Sequence, residues 1–320
     1  MSETDLEHAA RVLRAGGLVA FPTETVYGLG ADARSARAVR KIFAAKGRPP
    51  TNPLIVHVSG VAMAKLYAVE WPDAARRLAQ RFWPGALTIV VPRYKTIAAE
   101  VSAGLDTVGL RMPNHPLALE LIRRFDGPVA APSANRSTRV SPTTAEHVRQ
   151  ELGGKVDVIL DGGPCAVGIE STVLDLTTRR PTILRPGGVS RAQIEKVIGP
   201  VEEKRDVRGD VKTPATSPGQ HEVHYAPSTP AYRYTGPMAP PARGGVLAIG
   251  RAEEGHGGTT ISMPSAPEQY ARRFYAALRE LDAMRLDAIY VELPPDEPRW
   301  AAVRDRIVRA TSQLTGPVGD

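Results

Sequence analysis

The chain has 320 residues, enough for two domains of ordinary size, and its 42% hydrophobic and 23% charged content is that of a water-soluble globular protein. No apolar run reaches the ~18 residues of a membrane span, the start MSETDLEHAARVL lacks the apolar core of a signal peptide, and a single cysteine, Cys165, excludes an internal disulfide, so a cytoplasmic protein with no membrane partner is expected. The formal charge of +7 suits an anionic partner such as a nucleotide, pyrophosphate or tRNA, although 33 of the 41 basic residues are Arg, which codon bias alone could produce.

Thr4 and Glu7 have capping-box spacing before an apolar stripe of Leu6, Ala9, Ala10 and Leu13, and Gly16-Gly17 closes this first helix. A strand at 18–21, a helix at 35–46, a strand at 54–58 and a helix near 72–82 follow. Next come strands at 86–91 and 107–112, a helix at 116–125, a strand at 128–132 and a helix near 144–152. Strands at 156–161, 171–176 and 182–186 lead to a helix capped by Ser190 and Gln193 that runs to about 198. Strands interleaved with helices predict an α/β domain over 1–205 with a large twisted, open, mixed sheet. Residues 206–244 are rich in Pro, Gly, Ser and Thr without helical period and read as a linker. From 245 to 320, strands at 245–250, 259–264 and 287–294 alternate with helices near 267–285 and 298–312, giving a smaller α/β domain in which Phe274, Leu278 and Leu281 face inward.

Four stretches could carry chemistry. LVAFPTETVYGLGADA (18–33) leaves an apolar strand at Pro22 and presents Thr23, Glu24 and Thr25, then Gly28 and Gly30. A polar, glycine-bearing loop after a strand is how open α/β sheets build ligand sites, though by itself an ordinary turn is the stronger reading. It is neither a Walker A loop nor a dinucleotide fingerprint. In KGRPPTNPLIVHV (46–58), Lys46 ends a helix and Arg48 precedes two prolines that fix the backbone. Two cations so close fit a polyphosphate or, for either alone, a solvated helix end. His57 inside an apolar strand is equally a ligand contact or a hydrogen-bonded core histidine. VAAPSANRSTRVSP (129–142) sets Ser133, Asn135, Ser137 and Ser141 after a strand, as an oxyanion or ribose site or as a polar turn. Finally, Ser171 and Thr172 open a strand, Arg185 closes one, and Thr107 and Arg111 belong to an apolar strand, where a buried arginine needs an anion or carboxylate. CxxC, HExxH and GxSxG patterns are absent, and HEVH (221–224) is weak as a metal site.

In this order, FPTETVYGLGADA, KGRPPTNPLIVHV, TVGLRMP, APSANRS with Ser141, and STVLDL…ILRPG closely resemble the YrdC-like domain of threonylcarbamoyl-AMP synthases. SPGQHEVHYAP, FYAALRELD and AIYVELP are similar to the long two-domain form of that family, whose smaller domain is Rossmann-like. The resemblance implies an ATP-dependent nucleotidyltransferase. L-threonine, bicarbonate or CO2, and ATP would give threonylcarbamoyl-AMP and pyrophosphate, and a downstream transferase would pass the threonylcarbamoyl group to an adenosine beside the tRNA anticodon. It further implies that Thr25, His57, Arg111, Ala131 and Ser171 bind threonine. Arg48, Asn52, Thr107, Ser133, Asn135, Ser141, Arg185 and Tyr225 would bind ATP, with Lys46 and Arg48 catalytic and Mg2+ held mainly by the phosphates. Weak tRNA contact is a further implication. The segment with Tyr225 would act as a lid over the nucleotide, against a plain spacer with Tyr225 packed on the second domain. A non-catalytic RNA-binding module and a carbamoyltransferase of the hydrogenase-maturation type are the alternatives.

Overall fold

The computed structural model describes residues 3–204, 224–236, 238, 241–250 and 258–314. Much of the expected linker, His221 of HEVH and the first part of the expected lid lie outside them. The chain divides into two units. The first comprises Met1–Ser137, Pro142–Ala166 and Glu170–His221, and the second Thr138–Ser141, Val167–Ile169 and Glu222–Asp320.

In the first unit α1 (Glu3–Arg14) precedes β1 (Val19–Phe21), β2 (Gly28–Asp32) and α2 (Ala36–Lys46). Then follow β3 (Ile55–His57), α3 (Val61–Leu66), α4 (Asp73–Phe82), β4 (Leu87–Pro92), β5 (Thr107–Arg111), α5 (Pro116–Phe125) and β6 (Val129–Ala130). The unit closes with α6 (Ala145–Leu152), β7 (Val158–Ile159), β8 (Thr172–Asp175), β9 (Thr182–Arg185), α7 (Arg191–Ile198) and β10 (Glu202–Glu203). The strands form one mixed sheet in the order β10-β9-β8-β4-β5-β3-β6-β2-β1-β7. Helix α2 starts at Ser35, whose hydroxyl accepts from Ala38 N–H, and stops at Gly47, which takes the left-handed conformation (φ 62°). Ser190 and Gln193 form the expected capping box of α7.

Three expectations change. Gly28–Asp32 is not loop but strand β2, antiparallel to β1. A Cβ on Gly30 would lie 2.8 Å from both the Phe21 ring and Val129, so that glycine serves strand packing. Helix α1 begins at Glu3, so Thr4 lies inside it rather than at its cap. Part of the segment read as linker is a strand of the second unit.

The two faces of the first sheet differ. Val56, Leu87, Ile89, Val91, Val108, Leu110 and Leu174 alternate onto one face and join the main core. The register pairs His57 with Arg111, Ile55 with Gly109, Val90 with Gly109, and Thr88 with Val173. These residues therefore share the other face, where Ile55, Val90, Val173 and Leu184 form a small separate apolar floor.

The second unit holds β11 (Ala231–Tyr234), β12 (Gly244–Ile249), β13 (Thr259–Met263), α8 (Pro267–Ala283), β14 (Ala288–Glu292), α9 (Ala301–Ala310) and β15 (Ser312–Gln313). Its strands run in the order β13-β12-β14-β11-β15, with every pairing parallel. Strand β11, hidden in the Pro-rich stretch, lies inside this sheet. Helix α8 buries Phe274, Leu278 and Leu281 as expected, together with Tyr270. The molecule is thus α/β throughout, a large mixed sheet followed by a smaller parallel one.

Candidate active site

The turn after β1 is built by its own hydroxyls. Thr23 Oγ1 accepts from the backbone N–H groups of Thr25 and Val26 (3.2 and 3.3 Å) and donates to Val26 O at 2.7 Å. A hydroxyl has one hydrogen. The 2.8 Å contact between the Thr23 and Thr25 hydroxyls therefore takes its hydrogen from Thr25, which leaves Thr25 Oγ1 its lone pairs to offer. The segment beyond it is held from both sides: Tyr27 N donates to Pro142 O, Leu29 N to Pro132 O, and Ala134 N to Tyr27 O, each at 2.8–2.9 Å.

Arg111 ends β5 beside His57 at the end of β3. Its Nε donates to Gly85 O (3.2 Å) and its Nη2 to Glu24 Oε1 (2.7 Å), while Glu24 Oε2 accepts from Asn114 N–H (2.9 Å). Both partners of this ion pair are buried. His57 stacks edge-on against Phe21 at 5.8 Å, and its Nδ1 is buried without a hydrogen-bond partner. Burial, and then the neighbouring Arg111 charge, push the imidazole pKa down to about 3, so the ring is neutral. Ala131 donates its N–H to Ile55 O (2.9 Å), which places its methyl group beside Gly28.

Three further cations of the first unit are buried. Lys46 Nζ, buried at the end of α2, donates to Ser133 O (2.5 Å) and to Asn135 O, with Asn135 Oδ1 at 3.5 Å. Burial, with Arg48 nearby, holds its pKa well below the usual lysine value. Arg48 braces the turn after α2, giving Nε to Asn52 O (3.2 Å) and Nη2 to Pro53 O (2.9 Å). Asn52 Oδ1 is buried with no partner, an amide edge available to a ligand. Arg185, at the end of β9, donates from Nε and Nη2 to Ser171 O (3.1 and 2.9 Å) and from Nη2 to Ser171 Oγ (3.3 Å). Ser171 Oγ also meets Thr88 Oγ1 at 2.8 Å. Thr172 N donates to Ala86 O, next to the Gly85 carbonyl that Arg111 holds, so main chain links the two arginines. Thr107 opens β5 and lines a small cavity with Thr88, Ser102, Gly109 and Val173.

Ser141 and Tyr225 belong to the second unit. Ser141 is fully buried, and the carbonyl of its neighbour Val140 accepts from Arg279 Nη2. Tyr225 has positive φ (65°) and is 1% exposed. Its ring lies 4.0 Å from the His224 ring and 5.7 Å from Tyr275, with the Arg306 guanidinium 5.3 Å from its centroid. These contacts all lie within the second unit.

Two family models match the chain. One described as "Telomere recombination", for Sua5, YciO and YrdC, covers residues 11–187, and one described as "Threonylcarbamoyl-AMP synthase, C-terminal domain" covers 189–312. A threonylcarbamoyl-AMP synthase of Pyrococcus abyssi is 42% identical, over 97% of this chain and 95% of its own length. This chain belongs to the threonylcarbamoyl-AMP synthase family. The Bacillus subtilis synthase is 40% identical over 97% of this chain and 93% of its own. The crystal structure of P. abyssi Sua5 complexed with L-threonine superposes with a TM-score of 0.89 at 38% identity, covering 98% and 97% of the two chains. Against this family background, reading the sequence passed over three residues of the site. Glu24 had a visible signal, a carboxylate between two threonines in a loop. Thr88 was a lone hydroxyl in the apolar run ALTIVV. Gly109 alternates with Thr107 and Arg111, and a Cβ there would press on Thr88 at 2.9 Å.

Proposed function

We propose that this chain synthesises threonylcarbamoyl-AMP from L-threonine, bicarbonate or CO2, and ATP, with release of pyrophosphate. It would act in the cytoplasm as a nucleotidyltransferase in the first step of threonylcarbamoyladenosine formation on tRNA, handing its product to a separate transferase and touching tRNA only weakly. The observation that carries this reading is the shared sheet face. There His57 and Arg111, fit for a small amino acid, share a face with the apolar floor of Ile55, Val90, Val173 and Leu184, and the turn that carries Thr25 also carries Glu24, the partner of Arg111. Lys46, Arg48 and Arg185 supply positive charge for a polyphosphate. No described helix is long and apolar enough to cross a membrane.

In this proposal Arg111 takes the threonine carboxylate, Thr25 accepts from a substrate N–H or O–H, and neutral His57, Ala131 and Ser171 line the pocket. The apolar floor takes the adenine, with Thr107 and Asn52 along its rim and Ser133 and Asn135 on the phosphates. Ser141 and Tyr225 join the ATP contacts on the resemblance alone. The threonine amine adds to CO2 and loses a proton, giving a carbamate. A carbamate oxygen then attacks the α-phosphorus, the bond to the β-phosphate oxygen breaks, and pyrophosphate leaves. No enzyme nucleophile is required; positioning and charge stabilisation supply the rate. The donor set of the site is hydroxyl, amide and guanidinium, and among the described residues no three carboxylates or histidines gather. Mg2+ would therefore find its ligands in phosphate oxygens and water, and would neutralise part of the polyphosphate charge. Incubation of the full chain with ATP, threonine and bicarbonate should release pyrophosphate and form the adenylate only when all three are present. Pyrophosphate release independent of threonine would refute the assignment, and RNA binding without turnover would favour the non-catalytic alternative.

A further inference from the structure

Glu24 occupies the place where a substrate carboxylate would be expected to look for Arg111, yet its geometry is that of a fixed part. One oxygen takes Arg111 Nη2 at 2.7 Å and the other takes Asn114 N–H at 2.9 Å. The flanking turn is pinned by four contacts to Thr23 Oγ1. The carboxylate is about 7% exposed and the guanidinium about 4%. A carboxylate bound through both oxygens, on a turn closed by its own hydroxyls, is poorly placed to swing aside for a ligand. Arg111 commits its Nε–H to Gly85 O and one Nη2–H to Glu24, which leaves three of its five N–H donors, two on Nη1 and one on Nη2. With Nε and Nη2 anchored to acceptors on two different segments, Gly85 and Glu24, the guanidinium plane has one orientation.

We propose that Glu24 is a positioning residue for the amino-acid substrate: it fixes the Arg111 guanidinium so that the Nη1 edge faces the pocket, and it acts on threonine only through Arg111. This rests on the assignment of Arg111 to the substrate carboxylate. It also accounts for a buried cation that remains usable. An arginine held through Gly85 O alone could turn about that single contact, whereas one locked at Nε and Nη2 together presents a preorganised fork.

The test uses the full chain, with threonine binding measured by calorimetry and the KM values for threonine and ATP measured separately by pyrophosphate release. Arg111→Ala should raise the threonine KM by about 100-fold, as for truncation of a buried charged hydrogen-bonding partner. Glu24→Ala should raise it by about tenfold, the size of loss usual when a supporting residue behind a ligand contact is removed, and leave the ATP KM within about twofold. Adding Glu24→Ala to Arg111→Ala should cost nothing more, because the residue Glu24 acts through is gone. Should Glu24→Ala not fold, Glu24→Gln keeps an acceptor for Arg111 but turns a donor toward Asn114 N–H, and a smaller rise in the threonine KM alone is expected. A threonine KM that falls in Glu24→Ala would make Glu24 a placeholder that substrate displaces and would overturn the proposal. So would full additivity in the double variant, or equal changes in both KM values. If Arg111→Ala itself leaves the threonine KM unchanged, the substrate assignment fails and the inference fails with it. A normal Arg111→Ala effect beside a silent Glu24→Ala and Glu24→Gln sinks the inference alone.

Discussion

The two cation clusters of the first unit, at the amino-acid end and the phosphate end of the proposed site, handle positive charge in opposite ways. At the amino-acid end Arg111 is matched by a carboxylate, Glu24, at 2.7 Å. At the phosphate end Lys46 gives its ammonium to the carbonyls of Ser133 and Asn135, and Arg48 gives its guanidinium to those of Asn52 and Pro53. A carboxylate cancels the charge and sets a direction. Carbonyl dipoles hold a side chain without setting a carboxylate against it at those contacts, in surroundings where charge is poorly screened. One end thus suits a zwitterion that must be oriented, the other a polyanion that must be attracted. The difference comes down to which partners the chain folds onto each cation.

The sharpest way to break this contrast is to remove Lys46. Its Nζ is the tie between the end of α2 and the Ser133–Asn135 loop, so Lys46→Ala should lose both the tie and the charge. We expect kcat/KM for ATP to drop by about 10²–10³-fold, the scale for losing one preorganised donor at a developing charge, while calorimetric threonine binding is retained. Near-normal turnover would show that the carbonyl-held cation does nothing for the nucleotide.

A smaller effect concerns His57. Burial beside Arg111, itself paired with Glu24, holds the folded-state pKa near 3, against about 6.5 when unfolded. The lowered value means that the unfolded chain binds the extra proton first. This contribution to stability is full above pH 6.5, shrinks as pH falls, and has gone once the pH passes below about 3. The cost should be about 2 kcal/mol between pH 6.5 and 5, at about 1.4 kcal/mol per pH unit. An NMR titration of the imidazole should show no protonation above pH 4. A midpoint near 6 would mean that the amino-acid end is wetter, and its charges less tightly matched, than the structure implies.

What the sequence could reveal follows the same line between local and distant. Helix α2 was legible because the residues that make it, 35–46, are consecutive. The basic pair Lys46 and Arg48 stood out for the same reason. The partners that give these residues their character are not consecutive: Lys46 reaches acceptors 87 and 89 residues away, and Glu24 meets Arg111 across 87. Hence Glu24 went unassigned although it stood in plain view. Strand β2 was missed because Gly28 and Gly30 look like a turn until Phe21 and Val129 are seen to need the room. Strand β11 was missed because four residues, Ala231–Tyr234, are too short to show alternation among prolines, and only the flanking β14 and β15 make them a strand.

Salt gives the gentlest probe of the contrast and needs no substitution. Lys46, Arg48 and Arg185 are only 3%, 6% and 4% exposed, so their contacts within the protein are little screened by dissolved ions. A polyphosphate arriving from solvent is a different matter. Its several negative charges feel the carbonyl-held cations at a distance, and the Debye length shrinks from about 10 Å at 0.1 M to about 3 Å at 1 M. Threonine is a zwitterion with no net charge, and the Arg111–Glu24 pair it would meet has none either. Raising potassium chloride from about 0.05 to 0.5 M should therefore raise the ATP KM by about fivefold and the threonine KM by less than about twofold, a difference of about 0.5–1 kcal/mol. Since Mg2+ on the phosphates already offsets part of their charge, the measurement is made at constant, saturating Mg2+. Equal salt dependence for both substrates would mean that the two ends attract their ligands alike, and that the carboxylate on Arg111 makes no difference to how charge is used in the proposed site.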